Sequence, residues 1–165
     1  MKKLFLAATT ALMMVSLTTG AYAAKFKFPS DAPVAAVTIP DDWESGETES
    51  GVEATSPDEA VYLSIDVADA KSIDDVMDDA VNWLGEQGVT VDASTSKKTE
   101  DKLNGKDIIY VEWDGKDKDG PASIGLAALV LNADTILVLT YWGTKGEEEK
   151  NTATIGQILN SIKEQ

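Results

Sequence analysis

The chain has 165 residues, with 29 acidic side chains against 14 basic ones, a formal net charge of −15, and neither cysteine nor histidine. Every basic residue is lysine. This balance argues against nucleic acid as a partner, because phosphate contacts need clustered positive charge. The missing residue types remove thiol chemistry and disulfides, the usual zinc and copper ligands, the imidazole base and the bidentate arginine clamp.

The chain opens Met1-Lys2-Lys3, runs apolar from Leu4 to Ser16 and relaxes to Ala21-Tyr22-Ala23. A basic start, an apolar core and small residues at the end form the three-part plan of a secretory signal. The apolar run is about 15 residues, short of the roughly 20 that a helix needs to cross a bilayer. Residues 1–23 are therefore expected to be a cleaved signal peptide, and 24–165 a single domain without stable membrane insertion. The expected location is the periplasm, or the exterior where the host lacks an outer membrane. Loss of Lys2 and Lys3 leaves twelve lysines against 29 acids, a balance of −17.

Along the remaining chain, Lys25 to Asp31 reads as a polar and aromatic lead-in. Val34 to Ile39 reads as a first strand, closed by Pro40 and Asp41-Asp42 before Trp43. Glu44 to Ser50 is a loop or hairpin turn, and Gly51 to Thr55 a second strand. Pro57-Asp58 marks a turn. Val61, Leu63, Ile65 and Val67 then alternate with Tyr62, Ser64 and Asp66, as on a strand with two unlike faces. From Ser72 the period becomes helical, with Ile73, Val76, Met77, Ala80, Val81 and Leu84 on one stripe and Asp74, Asp75, Asp78 and Asp79 opposite. Ser72 has the character of an N-cap, with Asp75 three residues on, and Gly88 supplies a stop. The spacing predicts a helix over 73–86.

Val89 to Ala93 reads as a short strand. Lys97 to Leu103 and Lys106 to Trp113 flank Asn104-Gly105, a strong signal for a two-residue hairpin. Asp114 to Gly120 reads as a charged turn. Pro121 to Leu131 and Thr135 to Trp142 form a second hairpin, apolar at almost every position and hence expected to be covered on both faces. Gly143 to Gly146 is a break, and Glu147 to Ile162 a final helix. Strands, helix, hairpins and terminal helix in this order predict an α+β fold with a twisted antiparallel sheet flanked by helices, an α/β/α sandwich.

Val37-Thr38-Ile39-Pro40-Asp41-Asp42-Trp43, the Ser56-Pro57-Asp58 turn, the helix from Ser72, the Gly105-Lys106 hairpin and the closing helix after Tyr141-Trp142 together resemble the Mog1/PsbP-like fold, in particular its bacterial periplasmic DcrB-like branch. That resemblance implies the α/β/α architecture and binding of other proteins rather than catalysis. It supplies no catalytic set. DcrB-like proteins are typically lipoproteins, and the lack of a cysteine near Ala23 departs from that pattern.

The candidate partner-binding residues are of two kinds. Trp43 follows a turn at one end of the core. Trp113 and Trp142, at the ends of apolar strands, are expected to share a groove with Tyr110 and Tyr141, of the aromatic kind that binds peptides or sugars. Asp74, Asp75, Asp78 and Asp79 could dock a lysine-rich partner or simply face solvent. Asp114, Asp117 and Asp119 before Gly120 lack both obligatory acids of an EF-hand loop. Ser123 has no nucleophile-elbow context, and Glu112 with Asp114 is an acid pair of a kind common in so acidic a chain. No catalytic residue, metal site or cofactor is assigned. The expectation is a non-enzymatic exported protein that binds another envelope protein or a peptide, its oligomeric state open. The alternatives are a carboxylate-based hydrolase, an acidic inhibitor or immunity protein, and a weak calcium binder. Intact-mass measurement of protein from a periplasmic extract is expected to give a chain beginning at Ala24; a mass retaining Met1-Lys2-Lys3 would overturn the export reading.

Overall fold

The structure, a computed structural model, describes residues 23–68 and 72–165; the expected signal peptide up to Tyr22 lies outside the described residues. Strands β1 (Ala23–Phe28) and β2 (Ala35–Pro40) pair antiparallel. The lead-in expected over Lys25 to Asp31 is thus mostly a strand. Its alternation of lysines with Phe26 and Phe28 buries the phenylalanines toward the core while the lysines face out. Strands β3 (Glu44–Glu47) and β4 (Gly51–Thr55) form a hairpin, and β5 (Val61–Val67) pairs with β4.

Helix α1 spans Ile73–Glu86, matching the sequence prediction. The Ser72 hydroxyl accepts the amide of Asp75 at 3.2 Å and donates to its carboxylate at 2.7 Å, which satisfies an orphan donor of the first turn. At the other end Gly88 takes φ +81°. Its amide donates to Gly85 and that of Val89 to Leu84, the paired bonds of a Schellman stop.

The segment after the helix is only partly the strand expected: β6 is Thr90–Val91, and a 3-10 turn follows at Ala93–Thr95. Strands β7 (Lys97–Leu103) and β8 (Lys106–Asp117) flank Asn104 and Gly105, whose φ values of 52° and 81° are those the tight turn requires. The charged turn expected over Asp114 to Gly120 shrinks to Lys118-Asp119. The ladder of β8 with β9 (Gly120–Asn132) runs as far as Asp117 against Gly120, because backbone pairing along a long hairpin outweighs the weak local preference of charged residues for a loop. Strand β10 (Thr135–Thr144) passes through the break expected at Gly143. The terminal helix is also shorter than expected. A 3-10 turn at Glu148–Asn151 leads into α2 (Thr152–Asn160), and Lys163–Glu164 forms β11.

The large antiparallel sheet has the order β3-β4-β5-β10-β9-β8-β6, with β7 also on β8; the small one is β1-β2-β11. Pairing places three rows of side chains across one face of the large sheet: Tyr62, Trp142, Ile124 and Trp113; Glu53, Ser64, Thr140 and Leu126; Asp66, Val138 and Ala128. Helix α1 covers the apolar part of this face, with Ala80 and Leu84 against Ile124 and Leu126. The opposite face presents Val52, Leu63, Ile65, Leu137, Leu139, Ala127 and Leu129 to the small sheet and α2, and Phe28, Val37, Trp43 and Ile158 close that core. The architecture is α+β, one side of the sheet carrying a helix and the other a small sheet together with a helix.

Two local features bear on stability. The ring of Tyr141 lies over Gly125, where an added Cβ would meet Cε1 at 1.9 Å. The turn before β5 is tied to the start of α2. Asp58 accepts from Ser56 at 2.7 Å and from Asn151 at 3.1 Å, and the Ser56 hydroxyl foremost, then the Asn151 amide, hold its carboxyl below the ordinary 3.8.

Gly125→Ala is expected to cost about 1–3 kcal/mol in urea unfolding, through overpacking against Tyr141; an unchanged midpoint would disprove the close packing. A carboxyl held below its unfolded value adds stability that is complete above that value and lost as pH falls through the lowered one. Asp58→Asn should therefore lower the urea midpoint at pH 7, and the gap to the parent should close as pH drops below about 4. A gap that persists at pH 2 would show that the contribution is not the carboxylate's.

Candidate binding site

The polar positions on the α1 face of the sheet fall on β4, β5 and β10, beyond the reach of the helix. The result is an open cleft of about 800 Å³ between α1 and these strands, within the size range of ligand sites. Its floor is Ser64 and Thr140, both only 3% exposed, with Asp66 and Val138 alongside. One wall is the face of α1 that carries Val76, Asp79, Ala80, Trp83 and Gln87, a helical spacing that brings one turn after another onto the same side.

Three half-buried rings close one end. Tyr62 and Trp142 stack with centroids 4.3 Å apart at 28°, Trp83 is tilted at 59° to Trp142 with centroids at 5.9 Å, and Tyr62 lies 6.2 Å from Trp83. The stack follows from the register, since Tyr62 and Trp142 are directly paired across β5 and β10. The Tyr62 hydroxyl donates to Glu53 at 2.8 Å. Burial foremost, then this hydrogen bond and the Glu53 charge, raises the Tyr62 pKa, so the phenol stays a donor at neutral pH. At the far end Asp66 Oδ1 accepts from the hydroxyls of Thr48 and Ser50, each at 2.9 Å, which pins the β3–β4 turn against the cleft.

The sequence candidates divide. Trp142 and Asp79 line this cleft. Trp113 shares its sheet face but packs on the other flank of the α1 core beside Ile124. Tyr110 and Tyr141 pack against the core below the small sheet, so neither lines the cleft with Trp142, although Tyr141 and Trp113 border a second, smaller pocket together. Residues an odd number of positions apart on a strand point to opposite sides, and position 110 differs from 113, as 141 from 142, by an odd number. Trp43 is 4% exposed and belongs to the core. Asp74, Asp75 and Asp78 stand on exposed helix surface outside the cleft.

Tyr62, Trp83, Glu53 and Asp66 were not among the sequence candidates. Their available signal was a polar stripe, Tyr62-Ser64-Asp66, on a strand of a sheet covered on both faces.

A second, smaller pocket of about 250 Å³ lies over β8 and β9, lined by Thr95, Lys97, Glu112, Trp113, Asp114, Ser123, Ile124, Tyr141 and Glu148. Ser123 donates to one oxygen of Glu148, the other oxygen is buried without a partner, and Asp114 is neutralised by Lys145 at 2.7 Å. The Tyr141 pKa is pushed up to about 12, by burial foremost and then by Glu112 and Glu148. Glu112 and Asp114 do face one side, as their spacing of two implies. Among the described residues no three acids converge in an arrangement able to hold a metal ion, and no helix is long and apolar enough to cross a membrane.

No family model matches the chain, and no curated protein does. Solved structures do. The solution structure of cyanobacterial PsbP (CyanoP) from Synechocystis superposes with a TM-score of 0.57 at 10% identity, over 94% of this chain and 98% of that one. LpqN of Mycobacterium tuberculosis, described as involved in cell envelope biogenesis, gives 0.55 at 10% identity, over 87% and 91%. A protein from Bacteroides thetaiotaomicron gives 0.57 at 14% identity, over 86% of this chain but 48% of its own. The arrangement of a large antiparallel sheet between α1 and the small sheet with α2 is therefore the Mog1/PsbP-like fold.

Proposed function

We propose that this chain is a non-catalytic binding protein of the cell envelope, and that it holds a segment of a partner protein in the cleft beside α1. The observation that carries this reading is the aromatic trio Tyr62, Trp83 and Trp142 at one end of the cleft. Large rings that stay half-exposed at a concave surface are the usual anchors of protein recognition, because each buries much area at little entropic cost. The signal-like residues 1–23 support placement outside the cytoplasm, and the envelope role given for LpqN on the same fold agrees with it. The smaller pocket supports catalysis less well. Its Ser123–Glu148 pair has no imidazole to relay a proton, and the chain contains none.

Photo-crosslinking in cells tests the reading. A benzophenone amino acid at Glu49 or Gln87, on the cleft rim, is expected to give a discrete protein adduct that Trp142→Ala removes while the variant keeps its fold. The same group at Lys163, on the small sheet, is expected to give none. Absence of an adduct from both rim positions, or equal adducts from all three, would overturn the proposal.

A further inference from the structure

The charge around the cleft says what kind of segment suits it. Among the described residues four carboxylates line it, those of Glu49, Glu53, Asp66 and Asp79, against one lysine, Lys118. They are spread rather than clustered. Glu49 and Asp66 stand by the β3–β4 turn, Glu53 is anchored to the aromatic end by Tyr62, and Asp79 rises from the helix wall one turn before Trp83.

An exposed aromatic face attracts a cation through the ring quadrupole when the charge sits within about 6 Å of the centroid. The three centroids here are 4.3 to 6.2 Å from one another, so an ammonium group seated on the trio lies near more than one ring and near Glu53. Asp66 keeps a second carboxylate oxygen beyond the one bonded to Thr48 and Ser50, and the Ser64 and Thr140 floor offers hydroxyls to a peptide backbone. An acidic partner would meet repulsion from four sides. A neutral apolar one would leave the carboxylates desolvated without compensation, which costs more than the apolar contact returns.

Resting on the reading of the cleft as a protein-binding site, we propose that its occupant is a basic segment: an extended peptide with two lysines, one seated on the Tyr62–Trp83–Trp142 rings beside Glu53 and Asp79, the next toward Asp66 and Glu49. The volume of about 800 Å³ exceeds what a single ammonium group fills, and the separated carboxylates match charges spaced along a chain. The overall excess of acid steers such a partner inward, and the rings and carboxylates of the cleft select it.

The test uses the acetylated and amidated peptide Leu-Lys-Leu-Lys-Leu and the same peptide with both lysines Nε-acetylated, titrated into the full mature chain. Indole N–H shifts of Trp83 and Trp142 report the site. The charged peptide is expected to bind roughly tenfold more tightly at low salt, with an advantage that shrinks at 0.5 M salt. Glu53→Gln with Asp79→Asn should remove most of that advantage, whereas Glu147→Gln with Glu149→Gln, on exposed surface elsewhere, should leave it. Equal binding of both peptides at these indoles overturns the basic-segment proposal and leaves the cleft reading standing. Shifts at neither indole overturn both. Charge-selective binding that the cleft pair does not weaken but the control pair does would assign the effect to general attraction by an acidic surface, and also overturns the proposal.

Discussion

The structure depends on the antiparallel pair of β9 and β10. From Ile124 to Leu131 and from Ile136 to Trp142 nearly every side chain is apolar, so neither face of this ribbon can be left to water. At about 25 cal/mol per Å² of apolar surface, exposure of either face would cost more than a domain's net stability. Each face therefore needs a layer. Helix α1 supplies one with Ala80 and Leu84 on Ile124 and Leu126, and the small sheet with α2 supplies the other through Val37, Ile39 and Ile158. The rest of the chain is arranged to deliver those layers. The C-terminal segment is held by Asn104 donating to the carbonyls of Asn160 and Ile162, and by Lys106 bonded to Leu131 and Glu164.

The cleft is a consequence of unequal coverage. One fourteen-residue helix covers β9 and only part of β10, and β5 and β4 extend the sheet sideways past it. Evenly apolar strands there would expose a sticky patch. The α1-side positions of β4 and β5 are instead Glu53, Tyr62, Ser64 and Asp66, while their other sides, Val52, Ala54, Leu63 and Ile65, remain core. Alternation on a single strand thus builds core on one side and a polar, aromatic-ended recess on the other.

Much of the fold was legible in the chain. The helix at 73–86, its Ser72 cap and Gly88 stop, the Asn104-Gly105 turn and the two apolar hairpin strands carry local signals that the tertiary structure does not override. The elements that were not legible are those whose identity depends on a distant partner. Ala23–Phe28 is a strand because β2 lies beside it. Asp114 to Asp117 stays extended because Gly120 to Ser123 stays paired with it. Lys163–Glu164 becomes a strand only against Ala35 and Ala36. The same limit applied to the candidate site. Four of the aromatic candidates were joined by nearness of their strands, yet parity kept Tyr110 and Tyr141 out of the cleft that Trp142 lines, and only Trp113 and Tyr141 border a common pocket.

The sequence by itself determined the chemistry this protein can use: carboxylates, lysines, hydroxyls and aromatic rings, with no imidazole, thiol or guanidinium, and a strongly negative surface. It also determined the local elements, because helix period, strand alternation and turn residues act over a few positions. Tertiary structure alone decided which of those groups meet. Tyr62 and Trp142 are 80 positions apart in number and become stacked neighbours only through the β5–β10 register. Trp83 joins them only because α1 packs on the same face of the sheet. Side chains brought together by register and layer packing leave no periodic trace in the sequence, since each obeys the pattern of its own element and none encodes the other's.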